Sequence, residues 1–280
     1  MYSPTVPTPL SFPSLPPSAS GCPHSAMSRP AKHRIRQSFE EAAHSYDSAA
    51  QVQRRICGKL ALGLPEMMTP GVILDAGCGT GYALRLLRER FPPANMIGLD
   101  LSPAMLGKVK AHAYRIGGDV EHLPLADASI GLYWSSLTLQ WCHLPLALAE
   151  ARRVLWDGGR LAVATLGPKT FKELRTAFTA GDAYRHTLEF LDPEAIAAAA
   201  ASVGFTSVRL DRSTQTAHYP DLKSLLRAIK AIGANQVGGG RRTGLMSRSA
   251  WQRIEAAYEV MRQPGGLPLT YDVVTLHAEK

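Results

Sequence analysis

Asp75, Asp100 and Asp119 are the residues of this 280-residue chain whose types and placement can do chemistry together. Each stands just after an apolar run that reads as a short strand: Val72 to Leu74, Asn95 to Leu99 and Tyr114 to Ile116. Behind the first acid, Gly77, Gly79 and Gly81 follow at alternate positions. Glycines at a strand-to-helix turn accept φ values other residues resist, so the backbone can approach a ligand closely. Two ligands compete for such a turn. A dinucleotide wants G-x-G-x-x-G, with its pyrophosphate on the helix N-terminus. Here the third glycine comes one residue early, and Tyr82 stands where that pattern wants Gly. G-x-G-x-G behind a carboxylate suits S-adenosylmethionine, which has no pyrophosphate and whose ammonium is a natural partner for Asp75. Asp100 lies 19 residues after Gly81, where an acid can reach ribose hydroxyls. Asp119, in Gly118-Asp119-Val120-Glu121, can accept a hydrogen bond from an adenine amino group. Each acid alone is more often a solvated loop residue. Three of them in a βαβ series point to S-adenosylmethionine, released as S-adenosylhomocysteine.

The elements that must hold these residues alternate. Tyr82 to Arg90 has helical periodicity, with Leu84, Leu86 and Leu87 apolar among Arg85, Arg88 and Arg90. Ile130 to Ser135 reads as a fourth strand, Pro145 to Leu155 as a helix stopped at Asp157-Gly158-Gly159, and Leu161 to Thr165 as a fifth strand. Asp192-Pro193-Glu194 is a helix start, and that helix ends at Gly204. Phe205 to Leu210 is a sixth strand and Leu269 to His277 the last. This alternation implies an α/β fold with a doubly wound, mostly parallel, seven-stranded sheet. The roughly 58 residues between the last two strands are too many for a simple connection. They read as a helical insertion over 211–268, a lid that selects the substrate. Its first helix has Leu222, Leu225, Leu226, Ile229 and Ile232 on one face, Lys223, Arg227 and Lys230 on another, and Gly233 as a stop. Ser249-Ala-Trp-Gln252 reads as a capping box for the second, with Trp251, Ile254, Tyr258 and Met261 inward. Gly238-Gly239-Gly240-Arg241-Arg242 between them is expected to be a flexible basic loop.

Composition narrows the class. Hydrophobic residues make up 45 % and charged residues 19 %, ordinary for a globular protein. No apolar run approaches the roughly 18 residues of a membrane span. Cys22, Cys57, Cys78 and Cys142 are scattered and form no C-x-x-C pair. That suggests free thiols, a reducing cytoplasmic compartment and no structural metal. Cys78 lies inside the glycine turn, either as a nucleophile or, the favoured reading, as a small residue in tight space. The net charge is +8, and it is localised. Residues 29–60 hold seven Lys/Arg against three acids, and residues 221–262 eight against three. Two basic segments flanking a near-neutral remainder suggest an acidic partner. Residues 1–28 carry no Asp, Glu, Lys or Arg and many Pro and Ser. A disordered tail is expected there, with neither a secretory signal nor a transit peptide. The domain proper is expected over 29–280, with an N-terminal helix over 38–62 and a cofactor-binding half over 72–166.

These motifs resemble the class I, Rossmann-like methyltransferases, and longer strings narrow the likeness. Ser38 to Asp47 (SFEEAAHSYD), 99–106 (LDLSPAML), 118–125 (GDVEHLPL), 134–142 (WSSLTLQWC), 225–235 (LLRAIKAIGAN) and 268–274 (PLTYDVV) resemble the malonyl-acyl-carrier-protein methyltransferases of biotin synthesis. The likeness runs from about residue 32 to 280. Where that family more often has Asn, this chain has Ser136, which is given no role.

The resemblance implies methyl transfer from S-adenosylmethionine to the free carboxylate of a malonyl thioester, on acyl carrier protein or coenzyme A. It implies Asp75, Gly77, Gly79, Gly81, Asp100, Leu101, Asp119, Val120 and Ser135 at the cofactor. It implies Tyr46, Gln140, Trp141, Arg227 and Lys230 at the acceptor. Tyr46 is expected to close over the cofactor, and Arg227 first and Lys230 second to hold the carboxylate or the carrier's phosphate. A solvated basic face is the other reading of that pair, and plain core the other reading of Trp141. No metal, no stable nucleic acid partner and no membrane span are expected. Two alternatives share the scaffold: complex I assembly factors that act on a protein arginine, and RNA methyltransferases.

Overall fold

The strands form because their apolar runs are flanked by turn residues, and the helices because their apolar positions repeat on one face. The computed structural model describes residues 29–242 and 244–280; the tail expected over 1–28 lies outside the described residues. The strands are β1 (Val72–Ala76), β2 (Asn95–Asp100), β3 (Tyr114–Gly117), β4 (Ile130–Ser136), β5 (Leu155–Leu166), β6 (Thr206–Tyr219) and β7 (Leu267–Glu279). The helices are α1 (Lys32–Ala42), α2 (Tyr46–Ala49), α3 (Gln51–Leu62), α4 (Tyr82–Arg90), α5 (Pro103–Leu106), α6 (Leu144–Val154), α7 (Lys172–Phe178), α8 (Pro193–Ser202), α9 (Leu222–Ala231) and α10 (Arg248–Glu259).

The sheet order is β3-β2-β1-β4-β5-β7-β6. The first five strands pair in parallel, and β7 runs antiparallel to both its neighbours. The seven-stranded, mostly parallel α/β sheet is therefore as the sequence implied. Its strand order reverses between β1 and β4, and a crevice outside the strand carboxyl ends at such a reversal is where ligands bind. Side chains fill both faces. Ile56, Leu60, Leu84, Leu87 and Met96 cover one, and Leu74, Tyr133, Leu148, Ile196 and Leu276 the other.

Several boundaries differ from expectation. The helix expected over 38–62 is three pieces, α1, α2 and α3, with the chain turning at Ala43 to Ser45 and again at Ala50. In that first turn the Ser45 hydroxyl donates to the carbonyls of Ala42 and of Ala231 on α9. β5 begins at Leu155, and Asp157-Gly158-Gly159 is an irregularity within it, with Gly158 at φ 78°. β6 runs to Tyr219, so the insertion begins near residue 220 instead of 211. As an edge strand β6 buries no residue fully, and its polar alternation hides it among loop-like Ser and Thr. Ser247, not Ser249, caps α10, accepting from the Ala250 amide at 3.2 Å. Asp192 makes no side-chain cap bond. Gly233 does stop α9, at φ 70°; a Cβ there would lie 2.8 Å from the Phe39 ring on α1. The insertion and α1 are thus seated on each other.

Candidate functional site

Asp75 sits in β1 between Gly98 of β2 and Trp134 of β4, and is 1 % exposed. The turn after it has Gly77, Gly79 and Gly81 at φ 82°, 52° and 84°. A Cβ on Gly77 would come within 2.1 Å of the Thr138 hydroxyl, whereas one on Gly79 would meet open space. Gly79 therefore presents bare backbone to a cavity, and Gly77 admits a neighbouring loop. At the tip of β2, Asp100 accepts from the amides of Gly79 and Ser102, both at 2.8 Å. Burial raises its carboxyl, and those amides oppose the rise. Asp100, Leu101, Asp119 and Val120 line the same cavity as Gly77 and Gly79. Asp119 carries an ion pair from Lys32 of α1, whose ammonium also reaches Glu121 at 2.8 Å. The N-terminal helix is in this way latched across the far end of the cavity.

Two residues depart from expectation. Ser135 is fully buried and donates to the Ala76 carbonyl at 2.8 Å, so its hydroxyl braces β1 against β4. Ser136, to which the sequence assigned nothing, faces the cavities instead. Strand alternation exchanges these two neighbours. Gly81 does not face the cavity; its bare Cα admits Val109.

An adjoining cavity holds Asp75, Thr80, Asp47 and Arg54. Two buried polar atoms there have no partner: Asp75 Oδ2 and Arg54 Nε. Burial, then the Asp100 charge, pushes the Asp75 carboxyl up to about 8. The Arg54 guanidinium lies 5.5 Å from the Tyr82 ring centroid, and the Thr80 hydroxyl donates to Asp47 at 2.7 Å. An unpaired carboxylate oxygen and an unpaired guanidinium nitrogen in one cavity suit the ammonium and carboxylate of an amino acid. The sequence had no signal for Arg54, which sits on α3 far from the glycine turn.

A third, larger cavity lies beyond. Phe39, Tyr46, Leu137 and Trp141 line both it and the glycine-turn cavity. Tyr46 also lines the Asp75 cavity, so the expected residue stands where all three meet. Burial above all keeps its phenol protonated. Trp141 meets the Phe39 ring edge-on at 5.8 Å. Leu137 takes a left-handed φ of 61°, its amide donating to Ala164 and its carbonyl accepting from Gln140 Nε2. Phe171, which also lines the cavity, is left-handed at φ 56°. Such conformations cost roughly 1–3 kcal/mol each for non-glycine residues and persist where the surroundings enforce them. Gln140 lines this cavity but not the glycine-turn one.

Arg227 and Lys230 are not brought to either cavity. α9 turns Leu226 and Ile229 to the larger one and leaves Lys223, Arg227 and Lys230 exposed to solvent. The residues that do line it, and that the sequence reading missed, include Gln53, His186, Asn235, Gln236 and Tyr271. They come from four separate stretches of chain. The loop expected to be flexible is tied down: Arg242 pairs with Asp182 at 2.9 Å and the Arg185 amide donates to Gly240 at 2.9 Å. Cys57, Cys78 and Cys142 are free and buried, and burial first of all raises each thiol, against a nucleophilic Cys78. Among the described residues no cluster of three metal-ligating side chains occurs, and no helix is long and apolar enough to cross a membrane.

Known proteins are similar to this chain in sequence and in fold. A family described as a methyltransferase domain matches residues 74–163. The chain is 58 % identical over 255 residues to the malonyl-acyl-carrier-protein O-methyltransferase of Dechloromonas aromatica (strain RCB), covering 91 % of this chain and 97 % of that one. It is 44 % identical over 263 residues to the enzyme of the same name from Laribacter hongkongensis (strain HLHK9), covering 88 % and 89 %. Among solved structures, an S-adenosylmethionine-dependent methyltransferase of Thermotoga maritima superimposes with a TM-score of 0.53 at 18 % identity, over 88 % of this chain and 99 % of that one. At that identity the likeness shows the fold alone. Neither curated relative bears the name of a complex I assembly factor or an RNA methyltransferase, the two alternatives drawn from the sequence.

Proposed function

This chain belongs to the malonyl-acyl-carrier-protein O-methyltransferase family, and on that premise we propose that it methylates the free carboxylate of a malonyl thioester on acyl carrier protein, using S-adenosylmethionine. The ester would then enter the pimeloyl chain of biotin, which would put the activity in the cytoplasm. The observation that carries this reading is the meeting of two kinds of cavity at Tyr46: a polar one with unpaired Asp75 and Arg54 atoms, and a larger apolar one.

S-adenosylmethionine supplies a methyl group on a positively charged sulfur, which makes it open to attack by a weak nucleophile. Asp75 would hold its ammonium and Arg54 its carboxylate. Asp100 would take the ribose hydroxyls. Asp119, with Leu101 and Val120, would take the adenine. An ammonium beside Asp75 would draw its raised carboxyl back to the ionised form. A malonyl carboxylic acid titrates near the Asp reference of about 4, so at neutral pH it arrives already ionised and needs no base. What this chain contributes is position and dryness. Phe39, Leu137 and Trp141 would exclude water where the cavities join, and the protonated Tyr46 hydroxyl offers a hydrogen bond without competing as a nucleophile.

The exposed Lys223, Arg227 and Lys230 support a different role from the one the resemblance implied for Arg227 and Lys230. They form a basic face beside the larger cavity's wall, suited to steering an acidic carrier protein. Mass spectrometry tests the whole reading: incubation with S-adenosylmethionine should add one methyl to malonyl-acyl carrier protein. No gain there, with methylation of RNA or of an arginine peptide instead, would overturn it. Running malonyl-coenzyme A in parallel decides the carrier.

A further inference from the structure

The proposed acceptor is an anion, yet the cavity proposed for it is almost without charge. Among the described residues lining it, no Lys, Arg, Asp or Glu occurs; His186 alone can carry a charge at neutral pH. Tyr46 and Tyr271 line it too, but burial above all holds both phenols protonated. A carboxylate moved from water into such surroundings meets a steep desolvation cost unless a cation receives it.

His186 is built to be that cation. Its Nε2 lies 2.7 Å from Asp182 Oδ1, and that carboxylate side chain is only 9 % exposed. Asp182 also accepts from the Tyr184 amide at 3.0 Å and from Arg242 at 2.9 Å through its other oxygen. Burial opposes ionisation of Asp182, but His186, Arg242 and the Tyr184 amide together hold it below its ordinary range. The Phe178 ring lies against the imidazole at 4.1 Å between centroids, fixing its tilt. The neighbouring Arg185 is engaged by Glu189. With Nε2 turned to Asp182, Nδ1 is the ring nitrogen left over, and it makes no hydrogen bond within the described residues.

The charges also add up in the right sense. Arg242 already neutralises Asp182, so a proton on His186 leaves one net positive charge on the cluster. A lone His–Asp pair would be neutral overall and would offer an anion little. A charge-assisted hydrogen bond from Nδ1 would then serve the incoming carboxylate.

We propose that His186, oriented by Asp182 and Arg242, is the residue that selects a free carboxylate in the acceptor cavity. This rests on the malonyl reading and names its specificity residue. The acceptor enters as an anion and leaves as a neutral methyl ester, so the same contact favours the substrate over the product. The contact orients the carboxylate and moves no proton. The charged groups facing His186 are Asp182 and, behind it, Arg242.

Titration calorimetry with malonyl-acyl carrier protein and with its methyl ester, both without S-adenosylmethionine, tests the proposal. The wild type should bind the acid about 10- to 100-fold more tightly than the ester at pH 6.5. His186→Gln, which can still hydrogen-bond Asp182, should bring that ratio to about one while leaving S-adenosylhomocysteine affinity unchanged. Should that variant fold poorly, His186→Asn in the same assay decides: a ratio near one supports the assignment, and a retained acid preference overturns it. A His186→Gln protein that keeps the full acid preference overturns the role of His186 while wild-type methylation of the malonyl carrier leaves the enzyme's function standing. A wild type that neither binds nor methylates the malonyl carrier overturns both.

Discussion

The half of the sheet built on β1 to β4 and the half built around β7 meet at Tyr46, yet they are made on different plans. In the first half the three acids proposed to hold the cofactor stand at or just past a strand end, in chain order: Asp75, Asp100, Asp119. Parallel strands deliver their carboxyl ends to one edge, so a site there needs only local turns. In the second half the cavity takes Gln53 from α3, His186 from the stretch between α7 and α8, Asn235 from beyond α9 and Tyr271 from β7. No local motif can write such a site. The lesson is that cofactor chemistry is tied to the fold's repeat unit, while acceptor choice lives in added segments free to change around it.

That division can be broken by experiment, and the largest effect belongs to the cofactor half. Asp100→Ala removes the acceptor of the Gly79 and Ser102 amides as well as the proposed ribose contact. We expect S-adenosylhomocysteine affinity to fall about 10- to 150-fold by calorimetry, with malonyl-carrier binding unchanged. A matching loss on the acceptor side would show that the halves are not separable.

Asp75 sharpens the comparison through pH. Its folded carboxyl titrates near 8, against an ordinary value of 3.8. Between those values the folded state keeps a proton that the unfolded state has released, so stability is full below about pH 4 and falls as pH rises toward 8. Asp100, raised too, adds to the same slope. Scanning calorimetry without ligand should show Tm dropping across this window. The gain on adding S-adenosylhomocysteine should widen over it, because a bound ammonium favours the ionised form. Asp75→Asn should flatten both trends, and a flat wild-type profile would remove Asp75 from the ammonium's place.

A smaller effect is expected from the basic face of α9. Replacing Lys223, Arg227 and Lys230 together by Ala should slow association with malonyl-acyl carrier protein about 3- to 10-fold at low salt. Stopped-flow traces should show the gap closing as salt screens the wild type, since exposed charges are screened beyond about 8 Å at physiological ionic strength. A gap that persists at every salt concentration would return Arg227 or Lys230 to direct contact with the acceptor.

Smallest is Ser135→Ala. The hydroxyl lost is a buried brace to the Ala76 carbonyl, worth about 1 kcal/mol or roughly 2–4 °C in Tm for a chain of this size. Cofactor affinity should not move. A clear loss of affinity would restore Ser135 to the binding set it was first placed in.

Sequence reading went furthest where function and local structure coincide. The glycine turn was legible because an acid, three glycines at alternate positions and a helical period occur within 20 residues. Tyr46, Gln140 and Trp141 were reached only through strings that resemble a family, since nothing in their own spacing marks them. Arg227 and Lys230 show the limit of a string resemblance. Periodicity put them on one helix face and the resemblance put them at the acceptor, but neither says which face looks at the cavity; Leu226 and Ile229 do. β6 escaped in part because an edge strand exposes polar residues on both sides, and Ser213 to Tyr219 reads like loop.

By itself the sequence determined the βαβ alternation, the left-handed turn that only glycines take easily and the order of the acids, because each follows from the backbone preferences of neighbouring residues. Tertiary structure alone decided the rest. Arg54 and Asp75, distant in sequence, acquire unpaired atoms in one cavity. His186 meets Asp182 and, through it, Arg242. Ser135 and Ser136 trade places according to which side of β4 faces the opening. These outcomes depend on which faces of packed elements meet, and that is set by burial of apolar surface summed over the whole chain, a quantity no short window contains.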